Sequence, residues 1–287
     1  MKAGKFPACE VGGANSLDEC FEIVRTSEET GVPCMFLENC CYGRSEMALL
    51  NMVKLGIFGE IVHAAAGYEH DLRDEISGGH NRRHYRIDNY IHRNGESYPS
   101  HGALPMGKIL GINRGNRFVS LVSVASKARG LEDYIERNMP DESLKGVKFA
   151  QGDVVTTVLK CSGGETLVLT LDTTLPRPYS RAGRLQGTRG IWMEDNASVY
   201  IEGQSTEHKW DSQEKWFKKY EHPLWSWFSE QNIGGGHGGM DYLVQRAYLE
   251  SLRDGIEPPI DVYDFAVYSA ITPLSEASIA IGGAPVA

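Results

Sequence analysis

The run Cys34-Met35-Phe36-Leu37-Glu38, followed by an amphipathic stretch from Ser45 to Leu55 and a second apolar run from Glu60 to Tyr68, decides how this chain folds. A short apolar run with no polar alternation reads as a strand covered on both faces, as in parallel sheets. The stretch between the two runs has helical spacing and is stopped by Gly56 and Gly59. Towards the N-terminus, Leu17 to Gly31 is a further helix: Leu17, Cys20, Phe21, Val24 and Ser27 share a face, Ser16 can cap it and Gly31 can end it. With a strand at Phe6 to Val11, the order becomes strand, helix, strand, helix, strand. That is the back half of a doubly wound parallel sheet.

Beyond Tyr68 the pattern changes. Asp71 to Asn94 is crowded with Arg, His, Asp and Gly, has no period and reads as a long loop. A helix is expected at Met106 to Leu110 and a strand at Phe118 to Ser126. Asp153 to Lys160 and Thr166 to Thr173 alternate and form a hairpin across Cys161-Ser162-Gly163-Gly164. Short strands at Ile191 to Met193 and Val199 to Ile201 follow. Helices at Met240 to Arg253 and Val262 to Ile281 come last, the second kinked at Pro273. The fold class is therefore α/β, a partial Rossmann-like parallel sheet at residues 1–67 followed by an α+β domain with a mostly antiparallel sheet at 68–287.

Composition narrows the function. A net charge of −9 with the two signs interspersed excludes a nucleic-acid or anionic-membrane surface and fits an enzyme acting on a neutral small molecule. No apolar run is long enough to span a membrane, and Met1 to Gly13 lacks the apolar core of a signal peptide, so a soluble chain is expected, its compartment undetermined. The six cysteines show no CxxC spacing and are expected to be buried free thiols. There is no HExxH cluster, and no metal is expected.

Four segments sharpen the reading: Glu38-Asn39-Cys40-Cys41-Tyr42-Gly43-Arg44, Tyr98-Pro99-Ser100-His101-Gly102, Ile112-Asn113-Arg114-Gly115-Asn116-Arg117-Phe118 and Gly236-His237-Gly238-Gly239-Met240-Asp241-Tyr242. Set in a half Rossmann sheet feeding an antiparallel domain, they resemble the family 109 glycoside hydrolases of the Gfo/Idh/MocA oxidoreductase superfamily. These are NAD-dependent enzymes of the α-N-acetylgalactosaminidase type. The resemblance implies that Glu10, Val11, Asn39 and Tyr98 contact NAD, and that Tyr68, Arg86, Tyr98, Pro99, Ser100, His101 and Tyr179 line the sugar pocket. His101, Tyr179 and Tyr98 would carry the chemistry. Where the wider superfamily has a Glu-Lys-Pro motif with a proton-transferring lysine, this chain reads Glu10-Val11-Gly12, which fits the glycosidase branch.

In that branch, the resemblance implies, NAD removes hydride from sugar C3, a base takes the acidified C2 proton, the aglycone leaves, water adds and the hydride returns. Ordinary glycosidases instead need two carboxylates. Such relatives open with a strand, a glycine-rich turn and a helix that hold the NAD pyrophosphate, and no such unit precedes Leu17. The one formal GxGxxG, Gly234 to Gly239, follows a Trp-rich segment rather than a strand. NAD binding by this chain is therefore expected to be weak, and the exposed edge of an incomplete sheet to favour a homo-oligomer. Two alternatives stand beside the glycosidase: a Gfo/Idh/MocA sugar oxidoreductase, and a non-catalytic remnant unable to hold NAD.

Each residue also has a plainer reading. His101 can bond backbone in a turn, Tyr179 can be an edge aromatic, Tyr68 can belong to the core, and Arg86, beside Arg82, Arg83 and His84, can be solvated charge. Tyr42 and His237 read as structural, Asp241 as a residue favouring a helix N-terminus, and Trp210, Trp216, Trp225 and Trp227 as core or subunit contacts.

Overall fold

The structure, a computed structural model, describes residues 1–287. β1 (Ala8–Cys9) is followed by α1 (Leu17–Thr30) and β2 (Met35–Phe36), and the two strands pair in parallel. The Ser16 hydroxyl accepts from the Glu19 amide while the Glu19 carboxylate accepts from the Ser16 amide, a capping box, and Gly31 closes α1 at φ 63°. The expected apolar face of α1 is only half right: Cys20 is buried, but Phe21 is 64% exposed.

A 3₁₀ turn (Asn39–Tyr42) holds Cys40 and Cys41, both buried, and α2 (Arg44–Lys54) leads to β3 (Ile61–Glu69). The strands that follow are β4 (Phe118–Ala125), β5 (Val154–Cys161), β6 (Thr166–Asp172), β7 (Arg184–Gly187), β8 (Gly190–Met193), β9 (Ser198–Ile201) and β10 (Asp211–Ser212). Here one expectation fails. β3 does not extend the parallel pair; it sits inside an eight-stranded sheet of order β10-β9-β8-β7-β3-β6-β5-β4, parallel to β6 and antiparallel to β7. An apolar run suits the centre of any covered sheet, and its composition does not say which sheet takes it. The β5–β6 hairpin and the β8–β9 pair form as read.

The expected loop at Asp71 to Asn94 is instead α3 (Arg73–Ser77), a 3₁₀ turn (Gly79–Arg82) and α4 (Arg86–His92). Their polar outer faces hide a small second core of Leu72, Ile76, Ile87 and Tyr90 with Leu131 and Ile135. α5 (Ser100–Ile109) starts six residues before the expected helix and runs through Pro105. α6 (Gly130–Asn138), α7 (Gln213–Lys219) and α8 (Pro223–Glu230) were not foreseen; the last two take up the Trp-rich segment and bury Trp216 and Trp225. α9 (Met240–Asp254) and α10 (Val262–Ala280) close the fold, α10 continuing through Pro273. The main core joins both sheets, with Met35, Leu49, Phe58, Leu104, Leu167 and Trp192 fully buried. No helix is long and apolar enough to cross a membrane.

Candidate active site

The site follows from one close approach. α5 lies across β3 so tightly that a methyl group on Gly102 would stand 2.7 Å from the Gly67 nitrogen and 3.0 Å from the Ala66 side chain. Only glycine permits this, and it seats the first turn of α5 beside the end of β3. Tyr98 and His101 therefore meet Tyr68: ring centroids are 4.6 Å apart for Tyr68 and Tyr98, 5.4 Å for Tyr68 and His101, and 4.8 Å for Tyr98 and His101. Tyr179, between β6 and β7, joins at 6.2 Å from Tyr68, held by the bridge of Glu69 with Ser180. His101 thus lies in the first turn of a helix, not in the turn its neighbours suggested.

Arg86 corrects the reading of solvated charge. It is buried, and its guanidinium carbon lies 4.5 Å, 4.9 Å and 5.8 Å from the rings of Tyr85, Tyr98 and Tyr68. It makes no ion pair with any carboxylate of the chain. The aromatic faces shelter the cation, leaving its N–H donors to a ligand's oxygens. The structure thus brings Tyr68, Arg86, Tyr98, His101 and Tyr179 together. Pro99 and Ser100 are buried next to them and line, with Tyr98, the cleft that leads to Gly12; Ser100 also lies beside Glu38.

Four partners escaped the sequence reading. The Tyr68 hydroxyl lies 3.1 Å from His70 Nδ1, and the His70 ring stands 5.1 Å from that of Tyr179. Residues two apart on a strand project from one face, so Tyr68 brings His70 with it, a signal that was present. Glu38, fully buried, accepts from His101 Nδ1 at 2.8 Å and from the Cys40 amide at 3.1 Å. Arg181 is paired with Glu46 and reaches Cys40 Sγ at 3.6 Å, anchoring the Tyr179 segment to the turn after β2. Asp241, near the N-terminus of α9, accepts from Asn39 Nδ2 at 2.7 Å and His237 Nδ1 at 2.8 Å. The pairings of Glu38 with His101, Arg181 with Glu46 and Asp241 with Asn39 had no local signal, because those partners are far apart in sequence.

The protonation pattern separates donors from acceptors. Burial pushes the Tyr68 hydroxyl up to about 12 against the opposing charge of Arg86. Burial also raises Tyr98 and Tyr179, so these phenols are proton donors at neutral pH. Burial favours a neutral Glu38, but the charge and hydrogen bond of His101, with Ser100 and the Cys40 amide, outweigh it and hold the carboxyl below its ordinary range. Imidazole is the side chain suited to exchanging protons near neutrality. Glu38, Cys40 and His101 also place one ligand-type atom each within 4.8 Å of one another. The carboxylate is already engaged by His101 Nδ1, and burial pushes the Cys40 thiol well above its ordinary range.

Glu10 and Val11 follow β1, and Asn39 follows β2, so they leave the same carboxyl edge of the parallel pair. Ligands of open parallel sheets bind at that edge. A narrow cleft lined by Gly12, Ala14, Asn15 and Tyr98 joins the edge to the aromatic cluster. Asn39 Oδ1, after β2, is buried with no hydrogen-bond partner in the chain, an unsatisfied acceptor at that edge. Gly234 to Gly239, by contrast, follows α8 and forms a 3₁₀ turn before α9, with no strand ahead of it.

The fold is that of the Gfo/Idh/MocA oxidoreductases. An inositol dehydrogenase homolog complexed with NAD+ from Azotobacter vinelandii superposes with a TM-score of 0.67 at 15% identity, covering 99% of this chain and 72% of that one. Levoglucosan dehydrogenase, in complex with NADH and levoglucosan, superposes at 0.68 and 15% identity, covering 99% and 74%. Within that fold, residues 42–287 match the glycosyl hydrolase 109, C-terminal domain, and the chain belongs to that family. It is 44% identical to the alpha-N-acetylgalactosaminidase of Tannerella forsythia and 45% identical to a glycosyl hydrolase family 109 protein of Parabacteroides distasonis. Those alignments cover 100% and 99% of this chain but only 65% and 66% of the relatives' lengths.

Proposed function

We propose that this chain supplies the substrate pocket and proton-transfer groups of an NAD-dependent glycoside hydrolase acting on α-N-acetylgalactosaminides or a closely similar sugar. The observation that carries the reading is the Tyr68, Tyr98, His101 and Tyr179 cluster with the unpaired, buried Arg86 beside it. Nearby carboxylates are already engaged, Glu38 with His101 and Glu69 and Asp172 with Arg177, which disfavours the usual two-carboxylate scheme. The relative that shares 44% identity is named for α-N-acetylgalactosaminidase activity.

NAD would be held at the carboxyl edge of the parallel pair, where Glu10 and Val11 follow β1 and Asn39, with its unpartnered Oδ1, follows β2. When bound, it supplies reversible hydride acceptance, which brings sugar C3 to the ketone level. The C2 proton is then acidic, and His101 Nε2, which has no partner in the chain, takes it. A phenol held protonated, Tyr179 or Tyr98, hydrogen-bonds the departing oxygen or the C3 oxygen. Arg86 holds sugar oxygens, and the rings exclude water from the reacting carbons.

The test joins this chain to the nucleotide-binding unit of a family relative and supplies an aryl α-N-acetylgalactosaminide in D2O. Released sugar should carry deuterium at C2, with no net NADH formed. Product without C2 deuterium removes the reading; net NADH formation supports the sugar oxidoreductase instead.

A further inference from the structure

We infer that Glu38 is the positioning residue of this site: it fixes the tautomer and ring orientation of His101, so that Nε2 is the nitrogen presented unprotonated to the pocket. The inference rests on the functional reading above for its catalytic meaning, but its geometry stands alone. Glu38 lies two residues past β2, and its side chain caps the 3₁₀ turn that begins at Asn39 by accepting from the Cys40 amide at 3.1 Å. His101 comes from α5, 63 residues later, and its Nδ1 lies 2.8 Å from Glu38 Oε1 and 3.0 Å from Oε2. The carboxylate has no exposed surface, while the imidazole keeps 14%.

An ionised carboxylate only accepts, so Nδ1 must carry the proton of that bond. A neutral imidazole with its proton on Nδ1 has an acceptor at Nε2. That nitrogen has no hydrogen-bond partner in the chain, and the ring stands edge-on to both Tyr68 and Tyr98, at interplanar angles of 79° and 73°. A purely structural role for Glu38 as a cap would be met by the Cys40 amide alone; it does not call for a second, long-range partner on an ion-pair geometry. The pairing also resists rotation of the ring, since turning it about its last bond would break the bond to a carboxylate that water cannot reach.

Nitrogen-15 NMR of imidazole-labelled 287-residue chain, without cofactor or sugar and at a pH where His101 is neutral, reads the tautomer directly. Wild type should show one His101 tautomer, protonated at Nδ1 and bare at Nε2. In Glu38→Gln the amide can either accept from Nδ1–H or donate to a bare Nδ1, so the single tautomer should give way to a mixture. A wild-type His101 protonated at Nε2 overturns the inference, as does a folded Glu38→Gln chain that keeps the pure Nδ1–H form. If the variant does not fold, the wild-type tautomer alone decides. Because the measurement involves no turnover, a wrong reading of the reaction would appear in the C2 deuterium experiment and leave this result untouched.

Discussion

Replacing Glu96 by glutamine should make the protein more stable as pH rises, and the size of the effect follows from where that carboxyl sits. Glu96 is 1% exposed, in the segment that leads into Tyr98. Its amide donates to Ser275 Oγ at 2.8 Å, its carbonyl accepts from Thr272 Oγ1 at 2.8 Å, and its Oε1 receives only the Tyr98 amide at 3.4 Å. Oε2 is buried without a partner. Burial, only slightly opposed by the Tyr98 amide, pushes the carboxyl from its ordinary 4.5 up to about 8. The native state thus holds a proton that the unfolded chain releases above pH 4.5, and the stability this contributes is fully present below 4.5 and lost as pH rises through about 8. At about 1.36 kcal/mol for each pH unit, native wild type should lose roughly 2.5 kcal/mol from this group between about pH 5.5 and about pH 7.5. Glutamine keeps the shape and the acceptor for Tyr98 and does not titrate. Urea unfolding of both proteins at the two pH values gives the quantity directly, because every other ionisable group is common and cancels in the difference. The difference should move by that amount in favour of Glu96→Gln as pH rises; a difference that stays constant would refute a neutral buried Glu96.

In the chain joined to a relative's nucleotide-binding unit, His101→Ala should lower turnover by on the order of 10²-fold or more, the usual worth of a positioned acid or base, and Tyr179→Phe should lower it comparably. Steady-state rates on an aryl α-N-acetylgalactosaminide check both, and full activity in both variants would count against the proton-transfer roles. Gly102→Ala should destabilise the fold by about 1–3 kcal/mol, because the added methyl meets strand backbone rather than a side chain that can move aside; denaturant midpoints read it, and an unchanged midpoint would mean that α5 is not seated on β3. The 287-residue chain alone should bind NAD only weakly, since its parallel sheet has two strands and no strand, glycine turn and helix for the pyrophosphate. Calorimetry giving a micromolar or tighter Kd would contradict that.

Much of the local structure was legible because its causes are local. The capping box of Ser16 with Glu19 and the left-handed Gly31 mark α1 within a few residues, and the alternation of β5 and β6 across Gly163-Gly164 marks a hairpin. The pocket residues Tyr68, Arg86, Tyr98, His101 and Tyr179 were named from motif likeness, and β3, α4 and α5 bring them together. What the chain did not disclose is long-range. Whether the apolar run ending at Tyr68 joins the parallel pair or the large sheet depends on which partners compete for its edges, and β6 and β7, more than a hundred residues on, take them. The same holds for Glu38 with His101, Arg181 with Glu46 and Asn39 with Asp241. A buried charge or amide is satisfied by whatever the fold carries to it, and no spacing along the chain records that arrival. Sequence alone settled α1, the β5–β6 hairpin and the residue types of the aromatic cluster; the packing of α5 on β3 decided which nitrogen, hydroxyl and guanidinium face one another, because only three-dimensional approach brings those atoms together.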